Sequence, residues 1–223
     1  MLTVSSSPSP SKDGGRAPTR DEAQGYAHAS HPALRWLLRS PVAAIAAHWL
    51  FQGLFYMDTT ERWFKLTLDV LLTVVAAAPL LTRFRSHMAW LAAFTLAHTL
   101  NFLFNGQLWG VLKHYGIGGL SRPEFESYLC HLSRRTGNEP SILWAGVYGS
   151  LARGDWSPAS DLDVRLVRKP GMINALRGCL FVLAERSRAL IRRFPLDIYV
   201  LDDPGQLATM RDDEWPQAIN GSR

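Results

Sequence analysis

The chain has 223 residues, of which 47% are hydrophobic, and this length allows one ordinary domain or a small domain joined to a second region. Its two cysteines, Cys130 and Cys179, lack the spacing of a zinc site and are expected to be reduced. The net charge of +5 comes from positive residues scattered along the chain, so nucleic acid is not an expected partner.

The first 32 residues are rich in proline, glycine and serine and hold almost no aliphatic side chains. A segment of this composition cannot bury a core, so we predict a disordered tail over 1–32. No apolar stretch with a small-residue cleavage site follows the N-terminus, and the pattern therefore does not indicate a secretory signal peptide.

Three apolar runs follow, at 41–57, 66–82 and 86–112, and the third contains no Asp, Glu, Lys or Arg. A helix that crosses a bilayer core needs about 20 apolar residues, so the third run is long enough and the other two are borderline. We predict a hydrophobic region over 33–114 with two or three membrane helices. The alternative is a soluble bundle of very apolar helices.

Polar residues inside these runs are spaced to meet neighbouring helices. His98, Asn101 and Asn105 fall on one helical side, which is typical of contacts within a membrane bundle. Lys65 and Asp69 are four residues apart, which predicts an ion pair between them. Positive charges divide almost equally between the two sides of a three-span arrangement, so the charge rule does not choose an orientation. One run could instead be re-entrant or interfacial.

The character of the chain changes after a glycine-rich linker at 115–120. Ser121 and Glu124 form a capping-box pattern that predicts a helix ending at Gly137. The pattern then predicts a strand, a short helix, a strand, a helix from about Met172 to Arg192, and a last strand at 194–202. We therefore predict an α/β domain over 121–223.

Acidic residues sit in two of these predicted strands. Asp161 and Asp163 are two positions apart, so their side chains point to the same face, and Asp197 has an equivalent apolar-Asp-apolar setting. If the two strands are neighbours, three carboxylates converge, and a hard cation such as Mg²⁺ is their natural partner. Gly149 allows close backbone approach, and Ser150 with the following amides can bind phosphate oxygens.

The stretch GSLARGDWSPASDLDV, with the later Asp197, resembles the nucleotidyltransferase superfamily related to DNA polymerase beta. It is most similar to the minimal nucleotidyltransferases, which include antitoxin partners of bacterial toxins and antibiotic adenylyltransferases. The resemblance covers about residues 140–202 and implies an α/β (α+β) fold with a small mixed-sheet core. It implies that Asp161 and Asp163 bind two Mg²⁺ ions, with Mn²⁺ as the alternative. It also implies that Asp197 assists the metals or takes a proton from the acceptor, and that Ser150 contacts the nucleotide phosphates.

We therefore expect a multi-pass, membrane-anchored nucleotidyltransferase that moves a nucleoside monophosphate from a nucleoside triphosphate such as ATP to an acceptor hydroxyl. Arg153 could reach the triphosphate or brace the loop. Arg165, beside the acidic strand, could attract nucleotide or lie on a solvated edge of the sheet. The acceptor stays open between a lipid-linked sugar, an alcohol phosphate and a protein, as for an antitoxin-like adenylyltransferase. A membrane-bound nucleotide sensor or regulatory subunit without turnover is the alternative from another class. Because nucleoside triphosphates are cytosolic, the catalytic domain is expected on the cytoplasmic side, where a core this small could form a homodimer.

Overall fold

The structure, a computed structural model, describes residues 40–106, 108–113, 117, 120–154, 157–158, 160–209 and 216–220. The predicted tail 1–32 lies outside the described residues, as does most of the predicted linker. The helices are α1 Pro41–Phe51, α2 Thr59–Leu80, α3 Ser86–Asn105, α4 Leu108–Lys113, α5 Arg122–Asn138, α6 Gly149–Arg153 and α7 Met172–Arg192, with a 3₁₀ helix at Pro204–Thr209. The strands are β1 Ile142–Tyr148, β2 Leu162–Arg168, β3 Leu196–Leu201 and β4 Gln217–Asn220.

The predicted order of elements after residue 120 is confirmed. The capping box forms at the start of α5, where Ser121 N donates a hydrogen bond to Glu124 Oε2 at 2.9 Å and the Ser121 hydroxyl to the same oxygen at 2.7 Å. Helix α7 begins and ends where its apolar spacing predicts. Strand β4 and the 3₁₀ helix were not predicted.

The four strands form one mixed sheet in the order β3-β2-β1-β4. Strand β2 is parallel to β3, as expected for strands joined by a crossover helix, whereas β1 is antiparallel to both β2 and β4. One face of the sheet packs against α5 and α7 to form the main core. That core contains Phe125, Tyr128, Leu132, Val147, Leu162, Val164, Leu166, Val182, Ala189, Ile198 and Val200. The chain is thus mixed α/β, as the sequence predicts.

Helices α2 and α3 pack against each other as an antiparallel hairpin. Ala89, Ala93 and Ala97 recur every four residues along α3 and are all buried, and small residues at this spacing let two helices approach closely. Nδ1 of His98 on α3 lies 2.6 Å from Oδ2 of Asp69 on α2. This hairpin makes up most of the predicted hydrophobic region that the structure describes.

The predicted ion pair between Lys65 and Asp69 is wrong. Nζ of Lys65 donates to the carbonyl oxygens of Gln52 and Asn105, at 2.9 and 2.8 Å, while Asp69 contacts His98 instead. Lys65 is buried, and in that position its ammonium satisfies the carbonyls that the ends of two helical segments leave free. The expected interhelical role of His98, Asn101 and Asn105 is confirmed, since all three are buried.

The start of α2 covers the outer edge of β3. Glu61 is buried, its Oε2 accepts a hydrogen bond from Val200 N at 2.8 Å, and its Oε1 lies 2.6 Å from Arg186 of α7. Arg186 also donates to Oδ1 of Asn105 at 2.9 Å. Side-chain contacts therefore connect the apolar helices to the sheet, and the edge strand is not left open to pair with another chain.

Among the described residues, α2 is the one helix long and apolar enough to cross a membrane, and 17% of its apolar window is buried. The third predicted run does not form one helix, because α3 ends at Asn105 and the backbone of Gly106 is extended. Helix α1 is apolar but shorter. The number of membrane spans stays a prediction.

The buried contact between Glu61 and Arg186 should be required for stability. We expect Glu61→Gln to lower the free energy of unfolding by about 3 kcal/mol, because the change leaves the Arg186 charge buried without a counter-charge. Chemical denaturation in detergent, followed by circular dichroism, measures this. Glu126→Gln is the matched control, since it removes an exposed pair with Arg122 and should change stability little. Equal effects of the two substitutions would contradict this role.

Candidate active site

The turn that follows β1 brings Gly149 directly against the acidic strand. Tyr148, the last residue of β1, is paired in register with Asp163 of β2. Gly149 has a φ of +70°, and a Cβ at this position would collide with Oδ2 of Asp163. A glycine is therefore needed here for two reasons, the left-handed backbone and the carboxylate that lies against it.

Asp163 and Asp197 lie side by side. Strands β2 and β3 are neighbours, which is the condition that convergence of the carboxylates requires, and Asp163 is paired in register with Asp197. Because side chains alternate along a strand, both carboxylates point away from the face that carries Val164 and Ile198 in the core. Asp161 lies directly before β2, two residues ahead of Asp163.

The setting of Asp163 disfavours its charge. The pKa of this carboxyl is raised to about 8. Burial is the largest cause, and the neighbouring carboxylates of Asp161 and Asp197 add to it. A carboxyl surrounded in this way holds its proton near neutral pH unless a cation compensates for its neighbours. The three carboxylates that the sequence singles out therefore interact with one another in the fold.

Arg165 is the positive group nearest to these carboxylates, and its position contradicts a solvated sheet edge. Its Nη2 lies 3.4 Å from Oδ2 of Asp197, its Nη1 donates to the carbonyl oxygens of Val164 and Asp197, and its guanidinium lies over the ring of Tyr199. Although burial opposes the charge, Asp197 and Asp163 raise the pKa of Arg165 above its usual value. The guanidinium is thus fixed on the Asp197 side of the site.

Ser150 is tied to the loop that precedes the acidic strand. Its hydroxyl donates to Oγ of Ser160 at 3.0 Å, and the same oxygen accepts a hydrogen bond from Ser157 N at 3.0 Å. Ser160 is buried and comes immediately before Asp161. This serine contact joins the start of α6 to the start of β2. Arg153 lies at the last position of α6 with its side chain exposed.

The fit of a divalent cation can be tested on these groups. Oδ1 of Asp197 is buried and, within the described part of the chain, accepts no hydrogen bond. The pKa of Asp163 is raised first by burial and then by the neighbouring carboxylates of Asp161 and Asp197, and the positive charge of Arg165 offsets this only in part. No group of three or more His, Cys, Asp or Glu side chains in the described ranges is arranged to hold one ion. The geometry therefore offers Asp163 and Asp197 as an adjacent pair, with Asp161 close to Asp163.

Sequence reasoning did not identify two residues of this arrangement. Ser160 gave no separate signal, although a serine directly before an Asp-x-Asp strand is suited to bind the turn beside it. Arg165 was open between attracting nucleotide and lying on a solvated edge. Its position two residues after Asp163 was the available signal, because side chains two apart on a strand share a face.

No protein-family model matches this chain, and no curated protein gives a significant match. The geometry of the site and the resemblance carried by its motifs are therefore what supports a function for this chain.

Replacing Asp163 by Asn should stabilise the metal-free protein, and more so as the pH rises. The folded state raises the pKa of Asp163 from its usual 3.8 to about 8, so the wild type loses stability as the pH increases between those values. The neutral amide removes that loss, and we expect Asp163→Asn to be more stable by several kcal/mol at pH 8 and nearly equal at pH 4.

Chemical denaturation in a chelating buffer at several pH values measures this difference. Asp203→Asn changes an exposed carboxylate and should give no such trend. Adding Mg²⁺ should stabilise the wild type and leave Asp163→Asn unaffected. A stability difference between wild type and Asp163→Asn that does not depend on pH would contradict the assigned electrostatics.

Proposed function

We propose that this chain is a Mg²⁺-dependent nucleotidyltransferase that moves a nucleoside monophosphate from a nucleoside triphosphate to an acceptor hydroxyl and releases pyrophosphate. The observation that carries the proposal is the register of β2 and β3, which pairs Asp163 with Asp197, together with the contact of Asp163 with the Gly149 turn. Carboxylates beside a glycine turn suit a reaction in which metal and phosphate oxygens must meet.

Each residue has a role in this proposal. Asp161, Asp163 and Asp197 hold the metal, which supplies neutralisation of the carboxylates and of the charge on the phosphate oxygens. Asp197 also accepts the proton of the acceptor hydroxyl. Gly149 and Ser150 position the triphosphate. Arg153, exposed at the end of α6, is suited to contact it from the solvent side.

We further propose that the hairpin of α2 and α3 attaches the enzyme to a membrane, with the catalytic face on the cytoplasmic side where nucleoside triphosphates are available. Support comes from large apolar side chains that the hairpin leaves exposed: Val70, Leu71, Val74, Val75, Met88, Trp90, Leu91 and Phe94. Contiguous apolar surface of this kind marks an interaction surface in a folded protein. The multi-pass arrangement stays a prediction.

Label transfer tests the activity. We expect wild-type protein with native membranes, Mg²⁺ and a nucleoside triphosphate labelled at the α-phosphate to label an acceptor and release pyrophosphate. Asp161→Asn with Asp163→Asn should lower the rate at least about 10³-fold, because the charge of the transferred group is then not neutralised. Asp203→Asn is the matched control and should transfer at the wild-type rate.

Titration calorimetry with Mg²⁺ and each nucleoside triphosphate accompanies the transfer measurement. Tight Mg²⁺-dependent binding without any labelled product would contradict transfer and favour the nucleotide sensor. A labelled product that the double variant forms as fast as the wild type would contradict the assigned carboxylates.

Membrane attachment is tested by flotation with liposomes. We expect wild-type protein to float with lipid and the double variant Leu71→Glu with Val75→Glu to lose at least about tenfold in bound fraction, since each carboxylate costs free energy in hydrocarbon. Both residues are more than half exposed, at 57% and 63%. The matched control is Leu176→Glu with Leu180→Glu, an equally spaced exposed pair on α7 that should float normally. Loss of flotation in the control alone would place the contact on α7 instead.

A further inference from the structure

A cavity of about 260 Å³ lies between the apolar helices and the carboxylate strands. We call it the helix–sheet pocket. Its sheet wall carries Asp197, Arg165 and Tyr199, and its helical wall comes from the segment after α1 and from the ends of α3 and α4. The polar residues that line it are His48, Gln52, Tyr56, Asn105, Arg165 and Asp197. The pocket thus begins at one of the proposed catalytic carboxylates.

Two oxygen atoms in the lining residues are buried without a hydrogen-bond donor. Oδ1 of Asp197 accepts no hydrogen bond within the described residues, and the same holds for Oε1 of Gln52. Gln52 is only 6% exposed, and its Nε2 donates to the carbonyl oxygen of His98 at 2.9 Å, which fixes the amide so that Oε1 is the free group. Buried acceptors without donors are costly, so they indicate a ligand that brings hydrogen-bond donors.

The size of the pocket limits what that ligand can be. Its volume is below the roughly 300 Å³ at which pockets for drug-sized ligands begin, and it equals the space of about eight water molecules. A whole nucleoside triphosphate does not fit, whereas a small polyol does. The remaining lining is apolar and includes Met57, Phe102 and Val111, which suits the carbon skeleton of such a molecule.

We propose that the helix–sheet pocket binds the acceptor of the transfer reaction, and that this acceptor is a small polyol, either free or as the headgroup of a lipid. The inference rests on the proposed function. A hydroxyl of the polyol forms the new bond to the α-phosphorus of the triphosphate, while the bond from that phosphorus to the bridging oxygen breaks and pyrophosphate leaves. The hydroxyl proton passes to the carboxylate of Asp197 and from there to solvent.

Filling the pocket tests this assignment without changing a carboxylate. Val111 is 4% exposed and lines the pocket from α4, so Val111→Phe places extra volume inside it. Val42→Phe makes the same change at an exposed position of α1, outside the pocket and outside the proposed membrane surface of α2 and α3, and is the matched control. Gln52→Met is a second variant, which removes the free Oε1 with little change in size.

The variants are compared in three measurements with Mg²⁺ and the α-labelled nucleoside triphosphate. The first is transfer to glycerol or glucose, or to vesicles of phosphatidylcholine that contain phosphatidylglycerol or a glucosyl diacylglycerol. The second is slow release of nucleoside monophosphate to water, and the third is triphosphate affinity by calorimetry. We expect Val111→Phe to lower transfer at least tenfold and Gln52→Met to raise the KM for the polyol several-fold. Release to water and triphosphate affinity should stay within about twofold of wild type for both.

The partition of labelled product distinguishes the two sources of polyol. Label in the organic phase identifies a lipid headgroup. A labelled aqueous product that chromatography separates from the triphosphate and the free monophosphate identifies a free polyol. Either product supports the pocket if Val111→Phe suppresses it. Wild-type rates of transfer in both pocket variants, or label that goes to protein and persists in Val111→Phe, would overturn the pocket alone. Failure of wild type to transfer to any of the four polyols overturns the pocket. Failure with native membranes as well overturns the proposed function.

Discussion

The buried contact between Glu61 and Arg186 is the interaction on which the arrangement of the chain depends. Glu61 belongs to α2, the helix that is both long and apolar enough to cross a membrane among the described residues, and Arg186 belongs to the crossover helix. The two groups meet at the backbone of β3. Isolated charges in such a place would be too costly to bury, so each requires the other. Asn105 and Lys65 extend the contact to the end of α3. The helix–sheet pocket exists because this network holds the helical ends against the carboxylate strands.

Local signals predicted the α/β part of the chain well. The capping box at Ser121 fixes the start of α5, and the apolar spacing of α7 fixes both of its ends. The acidic residues predicted a shared site for Asp163 and Asp197 only on the condition that their strands are neighbours, and the parallel pairing of β2 with β3 meets that condition. Strand β4 was not predicted because it has only four residues and one large apolar side chain, Ile219, which packs partly buried against the core. Its strand conformation depends on pairing with β1.

The charges inside the apolar runs show where sequence reasoning was insufficient. Lys65 and Asp69 are correctly spaced for a pair within one helix, yet each finds a partner on another segment. Helical spacing gives the face on which a side chain lies but not the element that packs on that face. Buried carbonyls at helix ends also require donors, and the ammonium of Lys65 supplies them here. Ser160 was not predicted for the same reason, because its role depends on a hydrogen bond across the loop with Ser150.

The position of Arg165 explains why the carboxylates still call for a cation. Its guanidinium donates to the backbone carbonyls of Val164 and Asp197, contacts Asp197 Oδ2 and lies over Tyr199. These contacts hold the positive charge on the Asp197 side of the site. Asp163, beside Gly149, therefore keeps a raised pKa although an arginine lies two residues away. A fold that only needed stability could replace Asp163 by a neutral residue. Retaining the carboxylate there costs stability that a bound divalent ion would restore, which ties the chemistry of the site to its electrostatics.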